Sequence, residues 1–201
     1  MTAPSPSAWT RKIWIRYMYS DEEDIFLFKK LANGDKTALE ILYRKYYGLM
    51  MNYGLKICSD KDIVKDCIQD VFVRIFGNVR ISNGKRLLPR AYLLASLRNA
   101  LFDSLSRNSR IDSIDMLDFS VSIDEGRLAE LLKNDDEQLS KSIALVKYIS
   151  TLSTRSKMAL YLKFICGFSH KEVALALGIK EQSSMNLISR ILAALKKKIS
   201  K

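Results

Sequence analysis

The residue types that carry most protein chemistry are thinly supplied in this chain. His170 is the only histidine, and no second imidazole or carboxylate pattern surrounds it, so neither metal ligation nor acid–base work is indicated. Cys58, Cys67 and Cys166 are odd in number, far apart and without C-x-x-C spacing, so they suggest neither a disulfide frame nor a zinc site and point to a reducing compartment. Clustered carboxylates of the kind used in metal-assisted phosphoryl transfer are also missing. No cofactor and no enzymatic activity are therefore expected. What remains is charge: 33 Lys plus Arg against 22 Asp plus Glu, a net +11, which calls for a polyanionic partner or an anionic membrane surface. Residues 80–110 concentrate it, with seven basic side chains and one acid, among them Arg80, Lys85, Arg86, Arg90, Arg98 and Arg107. Any one of these suits a solvated helix face, but together they favour contact with phosphates.

The charge is partitioned along the chain. Residues 1–111 carry a net +8, residues 112–137 a net −7 and residues 138–201 a net +10, so an acidic connector separates two basic blocks. No apolar run approaches the roughly 18 residues of a membrane span. The early Arg11, Lys12 and Arg16 interrupt any signal-peptide core, which places the expected protein in the cytoplasm. Residues 1–19 read as a tail or a mis-called start before the second methionine, Met18.

Helices must position these groups, because eight Gly and three Pro are too few breakers for an all-β chain. The acidic SDEED opening at Ser20 starts a short helix that stops at Asn33-Gly34. Asp35 caps a second helix with apolar positions at Ala38, Leu39, Leu42, Tyr43, Tyr46, Leu49, Met50, Tyr53 and Ile57, and Ser59 or Asp60 starts a third. That third helix has Ile63, Val64, Cys67, Ile68, Val71, Phe72, Ile75 and Phe76 on one face and turns out Lys65, Asp66, Gln69, Asp70 and Arg74. A polar loop with an Asn83-Gly84 turn leads to Pro89, well suited to the first turn of a fourth helix. Residues 111–137 alternate acids with apolar residues in no lasting period and read as a flexible linker.

Four helices are expected over 138–201. The third and fourth form the most specific local pattern: Ser169 with Glu172 as a capping box, inward Val173, Ala174 and Leu177, a left-handed Gly178, and Ile179 plugging the junction. Ile188 and Leu192 are expected inside the last helix, leaving Lys180, Gln182, Ser183, Asn186, Ser189 and Arg190 outside. This is helix-turn-helix spacing, whose second helix docks in a major groove. The fold class is thus all-α, with two small four-helix domains, 20–110 and 138–201, on either side of the acidic linker.

Taken in order, these segments resemble the group IV, or extracytoplasmic-function, branch of the sigma-70 family of bacterial RNA polymerase initiation factors. ALEILYRKYY (38–47), DCIQDVFVRIF (66–76) and PRAYLLASLRNALFDSLSR (89–107) are similar to the family's second conserved region, and LSTRSKMALYLKFICGFSHKEVALALGI (152–179) to the start of its fourth. The resemblance implies that Asp66, Gln69, Asp70 and Arg74 bind the clamp helices of the polymerase largest subunit, and that the second lobe meets the polymerase flap. It further implies that Arg80, Lys85, Arg86, Arg90, Tyr92, Arg98, Asn99 and Arg107 read and hold open the minus-10 element, with Tyr92 where the family often has Trp or else a core aromatic. Lys180, Gln182, Ser183, Asn186, Ser189 and Arg190 would read the minus-35 element, and Lys196, Lys197 and Lys198 would add backbone charge. A membrane-bound anti-sigma factor is a further partner of such proteins.

The last helix departs from the family pattern. After Gly178-Ile179 it runs KEQSSMNLISR, so Ser184 replaces a buried apolar residue, and Met185 and Leu187 replace outward cations. Met185 and Leu187 would then be exposed apolar groups for an inhibitor to cover. A different reading is a plain helix-turn-helix regulator whose N-terminal helices dimerise or sense a ligand. It gives no reason for the polar face of residues 66–74 to stand beside a basic, aromatic helix.

Overall fold

The computed structural model describes residues 21–77, 88–108, 119–120 and 136–199, all of them helical or in short connections, with no strand among the described residues. The first lobe holds α1 (Asp21–Ala32), α2 (Lys36–Gly54), α3 (Lys61–Ile75) and α4 (Pro89–Asn108). Its punctuation is local chemistry. Asp35 accepts the Ala38 amide at 3.0 Å at the head of α2, and Asp60 accepts those of Asp62 and Ile63 at the head of α3. Gly34 supplies a φ of 85° at the α1–α2 turn, a conformation that a side chain would strain.

Burial follows the apolar faces. Phe28, Leu31, Leu42, Tyr46, Met50, Val64, Ile68, Leu93, Leu94 and Leu97 are sealed from solvent in one core. The lobe also buries one carboxylate: Asp24 accepts from the Tyr46 hydroxyl at 2.6 Å and from Lys45 Nζ at 2.5 Å, tying α1 to α2. Paired in this way, a buried charge is tolerated. At the far end of α2, a β-carbon on Gly54 would lie 2.5 Å from Val64 Cγ1, so glycine lets α3 approach that closely.

The second lobe holds α5 (Asp136–Ser150), α6 (Thr154–Leu160) running into a π-helical turn (Tyr161–Ile165), α7 (His170–Leu177) and α8 (Glu181–Ile199). Ser169 and Glu172 form the capping box, and Gly178 takes a φ of 66° between α7 and α8. On α8 the inward seam runs through Ser184, Ile188 and Ile191, a 4-3 spacing. Leu192, expected inside, falls one residue off that seam and is 41% exposed.

The lobes are not held apart. α4 packs along α7, and one continuous apolar cluster takes in Leu93, Leu94 and Leu97 together with Met158, Leu162, Phe168, Val173 and Ala176. The acidic connector contributes to it: Phe119 is fully buried, its ring forming a triangle with those of Tyr53 and Tyr161 at 5.9 and 5.6 Å, and the Ser120 amide donates to the Lys56 carbonyl at 2.7 Å. The expected flexible linker over 111–137 is therefore anchored at that point. A ring of this size gains about 2–3 kcal/mol by leaving water, which competes with the entropy of fixing a short stretch of chain. The rest of the expected linker and the tail 1–19 lie outside the described residues, except that α5 begins at Asp136, two residues before the expected domain edge.

Candidate nucleic-acid and polymerase interface

On α3 the residues Asp66, Gln69, Asp70 and Arg74 are all exposed, opposite the buried Val64, Cys67, Ile68, Val71 and Phe72. Arg74 stands 4.0 Å from Asp70, both about two-thirds exposed, so the pair is loosely held and open to exchange for a partner's charges. Val73 lies among them at 70% exposure, an apolar centre in a polar ring that sequence reading passed over. It borders a groove of about 560 Å³ between α2 and α3 that Leu39, Tyr43, Phe72 and Phe76 also line. An apolar centre ringed by polar groups is the anatomy of a protein-binding patch.

The basic segment divides three ways. Arg80, Lys85 and Arg86 lie outside the described residues. Asn99 and Arg107 are exposed on α4, where Asn99 Oδ1 accepts from Arg98 Nη2 at 2.9 Å and Arg107 Nε donates to the Asp103 carbonyl at 3.1 Å. Arg90, Tyr92 and Arg98 are committed to protein contacts in this arrangement. Tyr92 meets Phe28 edge to face at 5.5 Å. The Arg90 guanidinium grips the Glu172 carboxylate with two hydrogen bonds, Nη2 to Oε2 at 2.8 Å and a shorter one from Nε, and lies 4.6 Å from the Phe168 ring. Arg98, 6% exposed, donates from Nη1 to the Ala176 carbonyl at 2.5 Å. Its spacing on α4 identifies it as basic, and nothing in the sequence marks the carbonyl that takes it up.

Glu172 thus has two duties, closing the capping box with the Ser169 amide at 2.8 Å and holding Arg90. Burial pushes its carboxyl up, but the Arg90 hydrogen bond and the Ser169 amide more than offset that and leave it below the usual range. Burial also draws Arg98 down, opposed by Tyr53, though a guanidinium remains charged. His170 is pulled down by desolvation and by Lys163, which keeps the imidazole mostly neutral at pH 7, and its Nδ1 is buried with no hydrogen-bond partner among the described residues. Burial lifts the Cys166 thiol to about 12, the range of an unreactive core cysteine. Among the described residues no cluster of three or more His, Cys, Asp or Glu could hold a metal ion, and no helix is long and apolar enough to cross a membrane.

α8 presents the outward face expected of a recognition helix. Lys180, Gln182, Ser183, Asn186, Ser189 and Arg190 are all exposed. Gln182 Nε2 donates to Asn186 Oδ1 at 3.0 Å, and Arg190 Nε donates to the Asn186 carbonyl at 3.3 Å. Met185 is 44% exposed, while Leu187 turns in and packs against the core, so only the first of the two offers an open apolar surface. Ser184 is fully buried, and its hydroxyl finds no partner among the described residues. Lys196, Lys197 and Lys198 end the helix, with Lys198 Nζ 5.9 Å from the Tyr148 ring. At the seam of the two lobes a groove of about 820 Å³ is walled by Leu55, Tyr161, Phe164, Ile165, Leu192 and other side chains.

Two family models match parts of the two lobes. One described as "Sigma-70 region 2" matches residues 42–111, and one described as "Sigma-70, region 4" matches residues 142–195. Over 162 residues the chain is 20% identical to the ECF RNA polymerase sigma factor SigM of Bacillus subtilis (strain 168), an alignment that takes in 79% of this chain and 93% of that relative.

Proposed function

The chain belongs to the extracytoplasmic-function branch of the sigma-70 family and is an RNA polymerase sigma factor; from that premise we propose how its two lobes divide the work. The exposed face of Asp66, Gln69, Asp70 and Arg74, centred on Val73, docks on the clamp helices of the polymerase largest subunit. Residues 78–107 engage the minus-10 element, cations on the backbone and Asn99 near the bases, and α8 enters the major groove at the minus-35 element. The second lobe meets the polymerase flap. The protein works in the cytoplasm without a cofactor and without chemistry of its own. Met185 and the apolar seam groove are surfaces that an anti-sigma factor would cover.

The observation that carries this reading is the pairing, in one chain, of a helix-turn-helix with an open outward face and a separate helix whose exposed face is polar around an apolar centre. A free-standing repressor has use for the first and none for the second. In this arrangement Arg90 and Arg98 are occupied by Glu172 and Ala176, so promoter reading by those two residues requires α4 and α7 to part.

Co-purification with core RNA polymerase, followed by run-off transcription from a cognate promoter, tests the proposal. The wild-type chain is expected to associate and to direct initiation. The double variant Asp66→Lys/Asp70→Lys is expected to lose about tenfold or more in polymerase affinity, equivalent to about 1.4 kcal/mol, with its helical circular dichroism intact. A chain that never associates with polymerase leaves the regulator reading, and unchanged affinity in the variant removes these residues from the interface.

A further inference from the structure

The major groove carries a legible code. Guanine is read chiefly by Arg or Lys on its O6 and N7, adenine by Asn or Gln on its N6 and N7, and the thymine methyl by apolar contact. The residues that α8 turns outward can be set against that code.

Between Glu181 and Ser189 the exposed face contains no cation. It is made of Gln182, Ser183, Met185, Asn186 and Ser189, with the exposed Glu181 at the helix start. The two nearest cations bracket it: Lys180 precedes the helix, and Arg190 is folded back so that its Nε donates to the Asn186 carbonyl at 3.3 Å. The two amides act as a unit. With Gln182 Nε2 donating to Asn186 Oδ1 at 3.0 Å, Gln182 Oε1 remains as an acceptor and Asn186 Nδ2 as a donor, one turn apart on the same face. Such a pair complements the N6 donor and N7 acceptor of adenine. Met185, 44% exposed, flanks them with a flexible apolar group, and Leu187 is turned away into the core.

We propose that α8 reads A·T base pairs: Gln182 and Asn186 contact adenine, Met185 packs on a thymine methyl, and Lys180 and Arg190 hold the flanking phosphates. This rests on the minus-35 role assigned above and adds the class of base recognised. The helix selects against G·C at its centre, because Gln and Asn amides matched to adenine leave the guanine O6 facing an acceptor.

The test is selection by the assembled holoenzyme from promoter duplexes in which the upstream element is randomised and the downstream element is kept. Core positions of the upstream element are expected to enrich for A·T. Gln182→Ala and Asn186→Ala are each expected to relax that preference about tenfold at the adenine they share, and Met185→Ala to weaken the neighbouring thymine preference. Lys180→Ala and Arg190→Ala are expected to lower binding evenly across sequences and to flatten its salt dependence. Enrichment of G·C at the core positions, or an A·T preference unmoved by the amide variants, overturns the base assignment while leaving the minus-35 role in place. Selection with no upstream preference, in a holoenzyme that forms and initiates normally, overturns the role and the assignment together.

Discussion

The two lobes reach stability by different routes. The first lobe draws most of its core from its own helices, with aromatic and aliphatic side chains meeting around Phe28, Leu42, Tyr46 and Ile68, all sealed from solvent, while Leu93 and its neighbours on α4 are shared with the second lobe. In the second lobe no residue of α5 is fully buried among those whose burial is described. Several of its buried groups, among them Met158, Leu162, Phe168 and Val173, belong to a cluster completed by α4 and Phe119 of the neighbouring part of the chain. The Tyr53 hydroxyl also reaches Met158 Sδ across the seam, at 3.8 Å. A lobe that borrows its cover exposes apolar surface when it swings away, and needs another partner to replace that cover. The difference is one of degree: the first lobe supplies most of its own cover, and the smaller second lobe takes more of its cover from α4 and Phe119.

The largest effect expected to separate the two is from Leu162→Ala. Removing that buried side chain should cost about 2–5 kcal/mol, and hydrogen exchange should show protection lost first in α6, α7 and α8 while α2 to α4 keep theirs. Equal loss in both lobes would make them one cooperative unit and break the contrast. Next comes Glu172→Gln, which keeps a capping acceptor but removes the charge that Arg90 needs. A loss of about 1.5–3 kcal/mol is expected in urea at neutral pH. Because the Glu172 carboxyl is held below its unfolded value, its contribution is fully present above the ordinary carboxylate range and is lost as pH falls through the folded value. The stability curves of the wild-type chain and of the Glu172→Gln variant should therefore converge in acid, and parallel curves would show that the charge is not what matters. The smallest effect is a gain. Ser184→Ala removes a buried hydroxyl without a partner among the described residues, and should raise the stability of the second lobe by about 1 kcal/mol, read as an upward shift in Tm. A decrease would mean that the hydroxyl is satisfied in solution.

Much of the helical framework was legible because it rests on local signals. Asp35, Asp60, Ser169 with Glu172, and Gly178 each mark a helix end through a hydrogen bond or a backbone angle set within a few residues. The outward faces of α3 and α8 followed from period alone. The seam was not legible, because it joins residues 70 to 110 positions apart, and nothing local in Arg90 or Arg98 says that it will find a carboxylate or a carbonyl on α7. Charge arithmetic gave both lobes a net positive sign with an acidic stretch between them, and left the contact between the lobes unspecified. The contact forms through apolar burial, with Arg90 and Glu172 matched inside it. Phe119 did leave a trace: it is the one aromatic residue between Phe102 and Tyr148, in a stretch otherwise rich in acids. Leu192 was misplaced by one position because two apolar residues, Ile191 and Leu192, stand side by side and the period alone does not choose between them.

Phe119 also sets a length. Counted from the end of α4 at Asn108, the chain has 28 residue steps to reach Asp136, and covalent geometry allows at most about 95 Å. Counted from Ser120, pinned beside Lys56, it has 16, or at most about 55 Å. A turn of DNA rises about 34 Å, so the buried ring shortens the leash from nearly three turns of duplex to little more than one and a half. With Ser120 held beside Lys56, the start of α5 can lie no farther away than that shorter reach. Pulling one ring from its pocket nearly doubles that range.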